Sequence, residues 1–406
     1  MSSRRCWTIT TILAFLILIA MTPSFGIPAF ARKYGFNCEM CHVSWPALND
    51  FGQKFRWNGY NIPGQENLEK TLWELGGPPI AFRTMAGYTI DSFSPNGAGD
   101  EVNQFQINGL DVLGGGVLGF RKGFFVAYLP RIEPTNGVEA QDAEVEQANV
   151  VFSYLRSTWL NVRVGRFETA VLPFSVLRSI TISPYEIYEF DGGLGSANRF
   201  SLASTTDGIE IVGYGKKPWQ YAFGWVNGSR TNLNDQSPAD VYIRGAYILG
   251  PGMGQSSGQR FGAIAYFGKA RPTDNANLTD KRESFSRVGF DANLNKGQWN
   301  VLFQYLQGRD GSAFNLVGTG DYKFSGGFLQ LNHYQMGSAH FLRYDWVNTP
   351  SSDNHDISRI TIGMRQHIEH DLMLQLEYSH RKVDNGGGAG LDVTENFAAA
   401  RLDWAF

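Results

Sequence analysis

The sequence predicts an all-β transmembrane barrel of the outer-membrane type, with about sixteen strands, behind a short N-terminal α-helical segment. Three observations predict it. From about residue 79 onward, apolar and polar residues alternate with a period of two, which places one set on each face of a strand. Short connections between these runs alternate with longer polar ones, the pattern of a barrel whose turns differ at its two ends. The chain has 47 glycines and 14% aromatic residues but a mean hydropathy of −0.24, and no run after the first 26 residues is apolar enough for a spanning helix.

Residues 1–26 read as a signal peptide. Arg4 and Arg5 form the positive start, Thr11 to Met21 the apolar stretch, and Ser24-Phe25-Gly26 a small-residue cleavage site. A second such site ends at Ala31. The apolar run is shorter than the roughly 20 residues of a spanning helix, which argues against a permanent anchor. Net charge of −3 gives no case for nucleic acid as a partner.

Cys38-Glu39-Met40-Cys41-His42 is the C-x-x-C-H pattern of covalent haem attachment. Two thiols three positions apart can each add to one vinyl group of a haem c, and the adjacent imidazole then meets the iron as its proximal ligand. Cys38, Cys41 and His42 are therefore the expected cofactor-binding residues, and His42 the metal ligand. A zinc half-site would need two more ligands of similar spacing, and a thioredoxin-like dithiol would lie in a βαβ pattern; neither is present. Cys6 falls in the leader, so a processed chain keeps only the two motif cysteines.

The segment 27–78 is close to the lower limit for a core of its own. Ser44 is expected to cap a short helix with Leu48, Phe51 and Phe55 on one face, and a weaker helix is expected near Glu66 to Leu75. Gly76-Gly77-Pro78-Pro79 then hands the chain to the barrel, 79–406. This short tether places the motif in or against the periplasmic mouth.

Strands are expected near 80–91, 101–113, 117–130, 143–155, 159–167, 208–216, 218–228, 240–250, 258–268, 284–295, 298–307, 323–335, 338–347, 356–368, 371–382 and 394–406. Trp219, Tyr221, Phe223 and Trp225, or Leu372, Leu374, Leu376 and Tyr378, would meet lipid. Parity then sends Arg343, Asp345, Arg359, Arg365, Glu377, Arg381, Arg401 and Asp403 into the lumen, most of them to do no more than hydrate it. The longest connection, Glu168 to Asp207, exceeds an ordinary loop and is expected to fold inward. Leu402, Trp404 and Phe406 share a face at the terminus, like the assembly signal of outer-membrane barrels.

Ile27-Pro28-Ala29-Phe30-Ala31-Arg32-Lys33, the haem motif, Pro46, Leu48, Phe51-Gly52 and Gly59-Tyr60, ahead of a barrel, resemble the fused monohaem cytochrome–porins of the outer membrane. Their best-known members are iron(II) oxidases of iron-oxidising bacteria. The resemblance rests on the segment Ile27 to Tyr60 and, for the barrel, on architecture. It implies one haem c within the pore, taking electrons from extracellular Fe(II) or another donor or acceptor and passing them to a periplasmic c-type cytochrome, in a barrel surrounded by outer-membrane lipid. It carries Cys38, Cys41 and His42 over as haem-binding residues.

No catalytic triad or paired-carboxylate motif is present, as outer-sphere electron transfer would allow. Parity points Met85, His367 and Met373 inward as candidates for the distal iron position, while Met40 points away; Arg32, Lys33 and Arg56 are candidates for the haem propionates. The competing readings are an outward electron conduit, a passive porin with a haem-bearing plug, and a peroxidase-type haem enzyme.

Overall fold

A computed structural model describes residues 30, 33–44, 47–65, 79–95, 100–129, 144–192, 195–215, 218–228, 240–250, 258–272, 282–335, 337–369, 371–384 and 392–405. The leader, the helix expected near 66–75, Arg32 and Phe406 lie outside these residues. Two short strands, β1 (His42–Ser44) and β2 (Ala47–Leu48), pair antiparallel and precede the helix α1 (Asp50–Trp57).

Sixteen antiparallel strands follow and close on themselves: β3 (Ile80–Pro95), β4 (Asp100–Gly119), β5 (Lys122–Leu129), β6 (Glu144–Phe152), β7 (Asn161–Phe167), β8 (Thr206–Tyr214), β9 (Trp219–Val226), β10 (Asp240–Leu249), β11 (Gln259–Ala270), β12 (Glu283–Lys296), β13 (Trp299–Asp310), β14 (Tyr322–Gln335), β15 (Ser338–Asn348), β16 (Ile357–His367), β17 (Leu372–Val383) and β18 (Val393–Ala405). Each expected strand overlaps an observed one. Closure comes from pairing of β18 with β3, which removes the free edges that an open sheet would present.

The outer surface is apolar. Phe105 (82% exposed), Ile243, Phe290, Leu329 and Ile362 stand on it, as the alternation requires. Trp219, Trp299 and Trp404 are exposed at the short-turn end and Trp225 at the other, the aromatic girdles of a barrel seated in lipid.

The interior is packed rather than open. The connection between β7 and β8 turns inward, and Val171, Leu172, Tyr185, Tyr188, Phe200 and Leu202 from it join wall residues such as Tyr242, Leu306 and Phe328 in one buried core. Its only regular element among the described residues is a one-turn helix, α2 (Glu186–Glu189). The wall charges hold it. Arg343, fully buried, donates to Asp345 (2.6 Å), the Thr181 hydroxyl (2.6 Å) and the carbonyls of Ser183 (2.9 Å) and Pro184 (2.6 Å). Arg365 donates to the carbonyls of Ile180 (2.7 Å) and Ser179 (3.0 Å), while Glu377 accepts the N–H groups of Ile182 and Ser183, each at 2.6 Å. Arg359 and Arg381 pair with Glu186 of α2 at 2.8 and 2.9 Å. Arg401 bonds Gln375, and Asp403 binds Arg83. All eight expected lumen charges face inward, but most serve as anchors for the folded-in chain. Burying them alone would be costly, so ion pairs and backbone groups compensate them.

Candidate functional site

The motif segment lies inside one end of the barrel. Cys38–Met40 forms a single 3-10 turn, Cys41 follows it, and His42 opens β1, where it pairs with Leu48. The side chain of Cys38 is not among the described features; Cys41 and His42 are half-buried.

Asn49 organises this turn. Its side-chain amide donates to the carbonyls of Glu39 and Met40, both at 3.0 Å, and its backbone N–H donates to the Cys41 carbonyl at 2.9 Å. Its Oδ1 accepts the Gly52 N–H at 2.9 Å, which makes Asn49 the N-cap of α1. This corrects the expectation for the cap: Ser44 lies in β1, and Leu48 belongs to β2 rather than to the helix face. Asn49 is 6% exposed, so its four polar contacts are made without competition from water. Sequence reasoning missed it, although Asn immediately before Asp50-Phe51-Gly52 is a cap signal. Gly52 is needed for a different reason: a Cβ there would stand 2.2 Å from the Cys41 carbonyl oxygen, so α1 can approach the motif turn only with glycine at this position.

Aromatic rings cluster in the segment that carries the turn. Phe51 and Phe55 stack on one face of α1 with centroids 6.4 Å apart, and Phe36 meets Phe51 edge-on at 5.9 Å. Phe30 stacks on Tyr60 at 5.2 Å and meets Phe55 at 5.4 Å; Tyr60 in turn reaches Phe125 of the barrel wall at 5.8 Å. Burial pushes the phenols of Tyr34 and Tyr60 up to about 12. The segment is seated by close backbone contact, since a Cβ on Gly123 of β5 would overlap the Gly59 carbonyl. Asn61 also bonds Ser153 at 3.2 Å.

Arg56, expected as a propionate partner, is instead committed to Glu168 at 3.1 Å, tying α1 to the start of the folded-in connection. Burial disfavours its charge, but Glu168 outweighs that and holds the guanidinium above its ordinary value. Beyond the β1–β2 hairpin, a cavity open on one side is lined by Val43, Leu48, Phe174, Arg178, Arg260 and Tyr334. Arg178 pairs with Glu146. Arg260 donates to the Pro173 carbonyl at 2.8 Å, but its Nε is buried without a partner and no carboxylate pairs with it among the described residues.

The three inward-facing distal candidates come together in one row: register pairs His367 with Met373, Met373 with Asp403, and Asp403 with Met85, across β16, β17, β18 and β3. Met40 is exposed and apart from them.

The donor set suits a c-type haem. A thiol and an imidazole in the motif order, a turn held by Asn49, and an aromatic cluster on the adjoining helix match what thioether attachment and axial ligation ask for.

No protein-family model matches the chain, and no curated protein matches it. Solved barrels do. An anion-selective porin from Comamonas acidovorans aligns with a TM-score of 0.60 at 15% identity, over 81% of this chain and 100% of that one. The outer membrane channel DcaP of Acinetobacter baumannii gives 0.58 at 10% identity, over 82% and 98%. Pseudomonas putida OprB gives 0.56 at 10% identity, over 82% and 95%. At these identities the likeness is one of fold: a porin-type, sixteen-stranded barrel.

Proposed function

We propose that this porin-type barrel transfers electrons across the outer membrane, from extracellular Fe²⁺ to a periplasmic c-type cytochrome. Cys38 and Cys41 would hold a single haem c through thioethers, with His42 as the proximal iron ligand. The haem, when bound, supplies a one-electron couple. Each Fe²⁺ gives up one electron and leaves as Fe³⁺, and one oxidised cytochrome accepts that electron, so the exchange needs no proton donor or acceptor from the protein.

The observation that carries this reading is the seating of the motif turn inside a barrel whose lumen is a packed core. A chain that folds the connection between β7 and β8 into its own pore is poorly suited to passing solute, yet well suited to enclosing a redox centre. Asn49 fixes the turn, Phe51 and Phe55 stack beside it on α1, and Arg56 joins the segment to the barrel interior.

The test is stopped-flow reduction of the purified protein in detergent. Fe²⁺ should reduce the haem at a rate that rises with its concentration, and a His42→Ala protein should lose this reaction while its barrel remains assembled. If dithionite reduces the haem and Fe²⁺ does not, at a pH where Fe²⁺ is a competent donor, iron oxidation is wrong.

A second reading is a passive porin with a haem-bearing plug. The likeness to an anion-selective porin and Arg260, with which no carboxylate forms an ion pair among the described residues, favour it, because a cation in the lumen attracts anions. It predicts anion-selective conductance in planar bilayers and no exchange with external Fe²⁺.

A further inference from the structure

His367 closes β16 at the short-turn end of the barrel, with the same inward parity as Arg365 and the fully buried Thr361. Its backbone is fixed, since its N–H donates to the Gly337 carbonyl at 2.8 Å and its carbonyl accepts from Gln366 at 2.9 Å. Its imidazole is not committed in the same way: Nδ1 is buried and has no hydrogen-bond partner among the described residues. Buried ring nitrogens are ordinarily satisfied, so one that is not calls for an explanation.

The haem motif lies beside this wall. Val43, the residue after His42, packs against a buried cluster made of Ile180 from the folded-in connection and Tyr334, Ala339 and Phe341 from the wall. Ala339 is the cross-strand partner of Arg365, and Gly337, two positions before Ala339, accepts the His367 N–H. His367 is therefore diagonal to Ala339 on the same face, a separation of about 7–8 Å between backbone positions.

The other donors in the row are less well placed. Met373 is packed into the wall at 3% exposure. Asp403 is held by Arg83 through both carboxylate oxygens, at 2.8 and 2.5 Å. Met85 is two strands beyond Met373, further round the barrel from the β14–β15 wall of the cluster that Val43 packs against.

The geometry points to His367 as the second axial ligand of the haem, supplied by the barrel wall to a cofactor whose other attachments all lie in the N-terminal segment. This rests on the haem reading above. It makes the barrel part of the redox centre rather than a sleeve around it. A bis-imidazole iron also has a lower potential than one with a methionine ligand.

The test is spectroscopic and uses the full-length holoprotein in detergent. The oxidised protein should be low-spin with the near-infrared circular dichroism of two imidazoles, and without a thioether-to-iron band. His367→Gly should convert it to high-spin, and free imidazole should return it to low-spin. His367→Met, which keeps a ligand of similar reach should the glycine variant fail to assemble, should show the thioether band and a raised potential. A high-spin native protein, a native thioether band, or an assembled variant with an unchanged spectrum overturns the assignment while leaving covalent haem in place. Native protein with no haem surviving denaturing electrophoresis overturns the proposed function, and this ligand with it.

Discussion

Asn49→Asp separates the two roles of one side chain. An aspartate is as good an N-cap as asparagine, so the hydrogen bond from the Gly52 N–H to the side-chain oxygen should persist and α1 should keep its start. The two donations to the Glu39 and Met40 carbonyls cannot persist, because an ionised carboxylate has no proton to give. Each buried hydrogen bond contributes about 1 kcal/mol, so their loss should weaken the closed turn by about 2 kcal/mol. That corresponds to roughly a 30-fold rise in its open population, before any repulsion between the carboxylate and two carbonyl oxygens. Hydrogen exchange followed by mass spectrometry should show peptides covering 38–42 exchanging about 30-fold faster, with those of α1 and the barrel unchanged. Asn49→Ala should additionally lose the cap, about 1 kcal/mol more, and accelerate exchange in the first turn of α1. If Asn49→Asp leaves exchange over 38–42 unaltered, the clamp contributes nothing and the account of the turn is wrong. Should its effect appear equally in α1, the cap and the clamp are not separable as argued.

Glu377→Ala removes the acceptor of the Ile182 and Ser183 N–H groups, two charge-assisted bonds of roughly 1.5–3 kcal/mol each, and should loosen the folded-in connection. Single-channel recording should then show openings in the variant well above the low conductance expected of the native barrel; equal, porin-sized conductance in both would mean that the connection does not block the lumen. On the outer face, Ile243→Arg should destabilise the barrel in lipid by about 2–4 kcal/mol, measured by urea unfolding in vesicles, because a charge would replace an apolar group facing the membrane interior. An unaffected midpoint would mean that this surface of β10 does not meet lipid.

The sequence alone determined the features that depend on covalent spacing and local backbone geometry. A strand turns successive side chains to opposite faces, so strand positions, the lipid-facing surface and the inward direction of Arg343, Arg365 and Glu377 could be read from period-two alternation. The C-x-x-C-H motif could be read for a similar reason, since Cys38, Cys41 and His42 are neighbours along the chain; the haem it is proposed to carry is a matter for the experiments above. Tertiary structure decided what those residues meet. Ser44 and Asn49 are both acceptable caps by composition, and only the approach of Asn49 to the Glu39 and Met40 carbonyls made it the cap and the clamp. Length suggested that the connection from Glu168 to Asp207 folds inward, but that Arg343, Arg365 and Glu377 grip it, instead of facing water, depends on groups more than 150 positions apart. Arg56 was equally suited to a propionate or a carboxylate until the fold brought Glu168 to it across 112 positions. The alignment of His367, Met373 and Met85 in one row arises from register and from closure of β18 onto β3, which joins the two ends of the barrel sequence; local periodicity carries no information about which distant strands will pair.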